Sequence, residues 1–350
     1  MRNAKTKIED VAKQAGVSKS TISNYLNGRF TNMSPKTRAN IENAIKTLSY
    51  VPNITARRLS AKINCNVICL VIGFSFAETF QTTYYPTVMQ RVDKVAAELG
   101  YRTLIYPRES NRRQADIDYL KGIASCMTDG FMLFDLNEDD TYFREFERSN
   151  IPYVCIGKYD RFDDYNYLAT DHAGAVHQTV DYLVSLGHER IVILLEGGKS
   201  VVSAVRRRAF GEVMENHGLP VNSDCIIDIN MKTVGLRQGS AEAITRALTQ
   251  SSPTAMIIPG NAAYEVERII RDDGKRVPED ISLVVLDLIK DSSSFHQRNY
   301  THVQSQAANV SEKALRNLLA YLADPDVGFT SELVSTSLTI GKTTTAPRSK

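Results

Sequence analysis

The sequence predicts an α/β protein of two parts: a small all-α, helix-turn-helix head and a larger body of doubly wound parallel sheets in two lobes. Three observations carry that prediction. Charge divides sharply near residue 62, the first fifty residues show only helical periodicity with start and stop signals, and from Val67 apolar runs alternate with helical stretches twice over. With 350 residues, 43% of them hydrophobic, the chain exceeds one ordinary domain and can bury at least two cores.

The overall charge of +2 hides the asymmetry. Up to Lys62 there are twelve basic residues against three acidic ones, a net of +9, which leaves 30 against 37 and a net of −7 for the remainder. A basic head on a mildly acidic body suits a phosphate-backbone binder, because neutralised phosphates release condensed counterions. A solvated basic surface is the plainer alternative. Cys65, Cys69, Cys126, Cys155 and Cys225 are scattered, odd in number and mostly in apolar runs, so they read as reduced core residues. No CxxC pair or His/Cys cluster implies a metal, and no cofactor is expected. A polar, basic N-terminus without an apolar signal core, and no run of ~18 apolar residues, lead to the expectation of a cytoplasmic protein with no membrane partner.

In the head, Thr6-Lys7-Ile8-Glu9 has the form of a capping box, pairing Thr6 with Glu9. Ile8, Val11, Ala12 and Ala15 keep helical spacing, and Gly16 sits where a helix stops. Ser18 is then the N-cap of a second helix, Lys19 to Asn27. Ile22 and Leu26 face its core side; Lys19, Ser20, Thr21, Ser23 and Asn24 lie on the outer face, where short polar side chains can meet base edges in a major groove. Ser34-Pro35 opens a third helix running through Ile41, Ile45 and Leu48. The segment Asn53 to Ser60 follows a proline and reads as a linker or as one or two helical turns. A helix that short is marginal alone, since nucleation needs ~12 to 15 residues.

In the body, Val67 to Gly73, Tyr101 to Tyr106, Gly130 to Phe134 and Tyr153 to Ile156 are candidate strands, separated by helical stretches such as Met89 to Leu99 and Tyr142 to Arg148. The alternation repeats through Arg190 to Leu195, Cys225 to Ile229, Met256 to Pro259 and Ser282 to Asp287. Open parallel sheets bind ligands at the carboxyl ends of their strands, and two lobes make a cleft there. Leu333 to Ile340 is strand-like, and Thr343 to Lys350 is polar and expected to fray.

"IEDVAKQAGVSKSTISNYLNG" followed by "MSPKTRANIENAIKTLSYVPNITARRLSAK" resembles, nearly colinearly over about sixty positions, the N-terminal region of the LacI/GalR family of bacterial repressors. The loop "NGRFTNMSPKTR" is slightly longer than in the lactose repressor, which should alter backbone contacts and spare the fold. "ATDHAGAVHQTVDYLVSLGHERIVIL" and "VPEDISLVVLD" extend the likeness into the body. The resemblance implies a helix-turn-helix domain at 1–50, a hinge helix or linker at 51–63, and a periplasmic-binding-protein-like (type I) effector and dimerisation domain at 64–342. Its first lobe would hold Val67 to Asn166 plus a returning helix around Ala307 to Leu322, and the second lobe the rest. Lys19 and Ser20 would choose the operator. Thr6, Ser18, Thr21, Ser23, Asn24, Asn27 and Thr37 would share the DNA contacts, and Asn53, Ala56, Arg57 and the wedging Leu59 would bind through a hinge paired across a dimer in the minor groove.

The same resemblance puts Tyr84, Tyr85, Lys158, Asp171, Arg206, Asn261, Asp287 and Gln304 around an effector. The tyrosines would stack on a ring, Arg206 would anchor, and the planar polar groups would grip hydroxyls, a mix that suits sugars. Each has a plainer alternative: Asp171 as a helix N-cap, the tyrosines as packing, Asp287 as a strand-end cap. Ala262 replaces an aspartate common in relatives, and Ala209 a glycine. With Arg206-Arg207-Arg208 and Lys158 these changes predict a less acidic pocket and an effector such as a sugar acid or sugar phosphate. A nucleobase sensor or an activator of the same architecture is the alternative.

An enzyme is not expected, since no Gly-rich phosphate loop, nucleophile elbow or metal triad is present and no catalytic residue is assigned. The expected partners are a double-stranded DNA operator, a small-molecule effector and a second copy of the chain. A dimer is favoured, because no leucine heptad follows Ile340.

Overall fold

The computed structural model describes residues 7–26, 29–31, 33–48, 50, 64–73, 84–108, 113–135, 142–159, 164–197, 200–230, 236–288 and 298–348. Thr6, Asn27 and the hinge positions Asn53, Ala56, Arg57 and Leu59 lie outside the described residues. The chain divides between Cys65 and Asn66 into two compact units.

The first unit holds α1 (Ile8–Ala15), α2 (Lys19–Leu26) and α3 (Pro35–Thr47). Helix α1 begins one residue later than a Thr6–Glu9 box would start it. Lys7 is its N-cap, and Asp10, not Glu9, accepts the Lys7 backbone N–H at 2.8 Å. The acidic residue at the third helical position does that work, and a one-residue shift brings Asp10 there. Gly16 ends the helix with φ 68°, the left-handed conformation a side chain resists. Ser18 caps α2 by accepting from the Thr21 N–H at 3.1 Å, and Ser34 caps α3 from Thr37 N–H at 3.1 Å with Pro35 following. Val11, Ala12, Ala15, Ile22, Ile41 and Ala44 form the buried centre, ringed by Ile8, Leu26, Ile45 and Leu48. In the long loop Arg38 lies 4.3 Å over the Phe30 ring and donates to the Phe30 carbonyl at 3.3 Å.

The second unit contains two six-stranded sheets. The first is built from β1 (Val67–Ile72), β2 (Arg102–Pro107), β3 (Gly130–Phe134), β4 (Tyr153–Ile156), β5 (Tyr167–Thr170) and a late strand, Glu332–Val334. The second holds β6 (Ile191–Glu196), β7 (Ile226–Ile229), β8 (Ala255–Pro259), β9 (Ser282–Leu288), β10 (Thr301–Gln304) and Leu338–Thr339. With the late strands as β11 and β12, the orders are β11-β5-β4-β3-β1-β2 and β12-β10-β9-β8-β6-β7. The lobes therefore repeat one topology. They differ at the last strand, which is parallel for β11 and antiparallel for β12.

Alternation explains the near-continuous apolar strands, because both faces of each sheet are covered. In β1, Ile68, Leu70 and Ile72 pack beneath α4 (Tyr84–Glu98) and α11 (Ala307–Ala323), while Cys69 and Val71 face α5 (Arg113–Ala124) and α6 (Tyr142–Arg148). In β6, Val192 and Leu194 face α9 (Gln238–Gln250) and α10 (Ala263–Asp272), and Ile191, Ile193 and Leu195 face α7 (His172–Ser185) and α8 (Val201–Asn216).

Three expectations are corrected. The first lobe does not stop at Asn166, since β5 and β11 join its sheet. The strand-like Leu333 to Ile340 is two strands, β11 in the first lobe and β12 in the second, so the chain crosses between lobes there as it does near Asp171 and Ser305. Nor does the tail fray through Arg348. Thr343 is fully buried, its hydroxyl donating to the Leu283 carbonyl at 2.7 Å, and the Thr345 N–H donates to Ser282 at 3.0 Å. Polar composition misled here because threonine hydroxyls pair the backbone of a sheet edge. Helix α4 also begins five residues before Met89, and no described helix is long and apolar enough to cross a membrane.

Candidate functional site

On the head, the first turn of α2 presents Ser18, Lys19, Ser20 and, one turn on, Asn24 to solvent; Thr21, Ser23 and Thr37 are half-buried. The Ser18 hydroxyl lies 2.7 Å from that of Ser20 and 2.8 Å from that of Thr21, and the Ser34 hydroxyl 2.9 Å from that of Thr37. Capping therefore holds these hydroxyls as a small ordered array at two helix N-termini, where backbone N–H groups also favour anions. Lys19 Nζ reaches back to Glu9 Oε1 on α1 at 2.5 Å, which lowers the pKa of the Glu9 carboxyl.

In the body, residues at strand ends of the two lobes lie close enough to act on one another electrostatically, Asp135 with Glu196 and Tyr84 with Asp287. Arg206 is brought to this group by α8: Ser203, Arg206, Ala209, Phe210 and Val213 form the buried face of that helix, so the arginine is directed inward and only 7% exposed. Its guanidinium donates to Asp287 Oδ2, in the last residues of β9, and to His172 Nδ1 at 3.2 Å, at the start of α7. Arg206 Nε is buried with no hydrogen-bond partner among the described residues. Burial would raise the pKa of Asp287, but the Arg206 guanidinium and His172 outweigh it and hold the carboxyl below its ordinary range. Burial, with the Arg206 charge, pushes His172 down to about 4. The imidazole is neutral, and because it accepts at Nδ1 its proton sits on Nε2.

The first lobe contributes Asp135 at the end of β3. Burial, and the Glu196 carboxylate at the end of β6, push its pKa up to about 7, and its Oδ2 is buried without a partner among the described residues. Asp135 and Asp287 both take left-handed backbone, φ 47° and 56°, which aspartate tolerates better than most residues. A glycine from the neighbouring strand presses on each. A Cβ at Gly73 would lie 2.4 Å from the Asp135 carbonyl oxygen, and one at Gly260 2.9 Å from that of Asp287. Tyr84 senses both: burial and these two carboxylates raise its pKa. Asn261 donates to Glu196 Oε1 at 2.6 Å.

Of the residues expected around an effector, Arg206, Asp287, Asn261 and Tyr84 are thus drawn into one electrostatic network. Lys158 is exposed after β4, and Gln304 is half-buried where the β9–β10 register shifts. Tyr85 is 5% exposed within the first-lobe core, edge-on to Tyr84 at 5.0 Å. Asp171 caps α7 from Gly174 N–H at 2.8 Å, so tightly that a Cβ at Gly174 would sit 2.3 Å from its Oδ2. Ala262 and Ala209 are both core residues. Asp135, Glu196 and His172 were missed by sequence reasoning. The strand-end rule could have found the first two, since each directly follows or ends an apolar run, "GFMLF" and "IVILL". They add two carboxyl groups at these strand ends, one of which, Asp135, has its pKa raised to about 7.

The fold and these sites define a class: a helix-turn-helix head joined to a two-lobed, periplasmic-binding-type body. Residues 7–53 match the family "Bacterial regulatory proteins, lacI family", and residues 180–344 match "Periplasmic binding protein-like domain". The chain is 27% identical over 292 residues to the HTH-type transcriptional regulator DegA of Bacillus subtilis (81% of this chain, 82% of the relative). It is 27% identical over 296 residues to the HTH-type transcriptional regulator CelR of Thermobifida fusca (82% and 83%). A crystal structure of the Lac repressor dimer bound to operator and an anti-inducer superposes with TM-score 0.79 at 23% identity, covering 98% of this chain and all of that one. Residues 7–53 thus carry the head of the LacI family, and the chain over most of its length is similar to transcriptional regulators.

Proposed function

We propose that the chain is a repressor that binds a near-palindromic operator as a homodimer and is controlled by a neutral, polyhydroxylated effector, a sugar, held between the lobes. In this reading residues 1–50 are the DNA-binding domain, 51–63 the hinge and 64–342 the effector and dimerisation domain; the protein works in the cytoplasm, and catalysis has no part in it. Lys19, Ser20 and Asn24 read bases, the capping hydroxyls hold the backbone, and Leu59 wedges the minor groove. The observation that carries the effector class is the charge of the cleft. Arg206 is already neutralised by Asp287, while Asp135 and Glu196 add carboxyls that hydrogen-bond hydroxyl groups, and the Glu196 carboxylate, joined by Asp135 once it ionises above about pH 7, repels an anion. A sugar acid or sugar phosphate would meet that repulsion, and a nucleobase would need a second ring face that Tyr85, buried in the core, does not offer.

Titration calorimetry of the full chain against neutral sugars, sugar acids, sugar phosphates and purines tests this. Binding of a neutral sugar, lost in Arg206→Ala, is expected; tighter binding of an anion or a purine would overturn the effector class. Gel shifts with DNA selected by the wild-type chain test the other half. Leu59→Ala should lose affinity about tenfold or more, and added effector should change operator affinity by the ~1 to 3 kcal/mol typical of allosteric coupling.

A further inference from the structure

We propose that Glu9, on the first helix of the head, is a specificity-determining positioning residue: it holds the Lys19 ammonium toward the bases and discriminates against phosphate contacts. This rests on the DNA-reading role proposed above. Lys19 is the one basic residue of α2, so the charge that this helix offers to DNA is a single ammonium. A lysine on its four-carbon stem is a flexible point charge and would by itself settle on whichever phosphate lies nearest. Glu9 removes that freedom with a contact of 2.5 Å from the neighbouring helix.

Glu9 is not otherwise required where it stands. Asp10 supplies the helix start, and the side chains of Lys19 and Glu9 are 64% and 55% exposed, so their contact fills no core. An exposed pair adds little to stability. A carboxylate on a DNA-facing surface is moreover repelled by every phosphate, whatever the sequence. That repulsion is offset only where the ammonium finds a base acceptor such as guanine O6 or N7. The pair therefore weakens binding to all DNA and restores it at a matching base pair, which is discrimination. The hydroxyls of Ser18, Ser20 and Thr21, occupied with one another, bring no compensating charge.

The test uses the full chain as wild type, Glu9→Gln, Glu9→Asp, Lys19→Met and the Glu9→Gln/Lys19→Met double variant. Wild type first selects duplexes from a random pool. Each protein is then titrated against the selected duplex, its single-base variants and a scrambled duplex of equal length, at several salt concentrations. Glu9→Gln should lose about tenfold discrimination at one base pair per half-site and bind the scrambled duplex several-fold tighter, with a steeper salt dependence. In the Lys19→Met background Glu9→Gln should change no base preference. Glu9→Asp keeps the charge but shortens the reach, so it should bind scrambled DNA as wild type does and still lose preference at that base pair. Unchanged preferences in Glu9→Gln, a uniform loss across all duplexes, or a fully wild-type Glu9→Asp would each overturn the positioning role. If wild type enriches no sequence at all, the DNA-reading assignment itself falls, a result distinct from the others.

Discussion

Each folded unit carries an ion pair among the residues proposed to meet its ligand, and the two pairs are built on opposite terms. Lys19–Glu9 on the head is open to water on both sides, with more than half of each side chain exposed. Arg206–Asp287 in the body joins an arginine side chain 8% exposed to a carboxylate one third exposed, with His172 completing the group. The exposed pair can lose a member at little cost to folding, because water solvates the charge left behind. The buried pair cannot lose a member without stranding the other in a medium that solvates charge poorly. The head's pair is thus dispensable for folding, whereas the body's pair is bound into the fold.

Removing one buried partner should have the largest effect. Asp287→Ala leaves the Arg206 guanidinium unpaired, and urea unfolding should show the body destabilised by about 3 kcal/mol, at the lower end for a broken buried pair because Asp287 is partly exposed. A loss below about 1 kcal/mol would mean that the body's pair is no more constrained than the head's.

Asp135 sharpens the contrast through pH. Its pKa is raised in the folded protein, so stability is fully present below the unfolded value near 4 and is lost as pH rises through about 7. Asp135→Asn should unfold like wild type at pH 4 and be more stable by on the order of 2 to 3 kcal/mol above pH 7. A constant difference across that range would refute the burial of the ionisable form. His172 works in the other direction. Its pKa is depressed to about 4, so the stability it contributes is present above the ordinary histidine value and lost as pH falls through 4.

On the head, Ser34→Ala removes the cap of α3 and should lower the stability of that unit by about 1 kcal/mol in thermal unfolding. Glu9→Gln should give the smallest response, no measurable change in unfolding, with its effect confined to DNA preference. A clear loss of stability would mean that the pair holds the two helices together, and the contrast between the units would fail.

Much of this was legible in the sequence because it depends on neighbours along the chain. Gly16, Ser18 and Ser34-Pro35 act within a turn of their own position, and the apolar runs from Val67 to Ser282 give strands wherever a run of four to seven residues is bounded by polar ones. The capping box at Thr6 was misplaced by one residue because Glu9 and Asp10 offer the same carboxylate, and only the backbone decides which one reaches the Lys7 N–H. Of the cleft, Arg206 and Asp287 could be carried over from a resemblance, but nothing local distinguishes Asp171 as a cap from Asp171 as a contact. That choice belongs to Gly174, whose missing Cβ lets the carboxylate close on the helix.

By itself, then, the sequence determined the basic three-helix head, the alternation that makes a two-lobed parallel α/β body, and the charge division between them, since composition and periodicity are properties of segments. Tertiary structure alone decided that β5 and β11 return to the first lobe, that Thr343 and Thr345 are bound into the second, that Tyr85 is core, and that Glu196 lies close enough to Asp135 to raise its pKa. These depend on which strands and strand ends the fold brings together. Residues more than sixty positions apart set each other's burial and field there, and no local pattern encodes that distance.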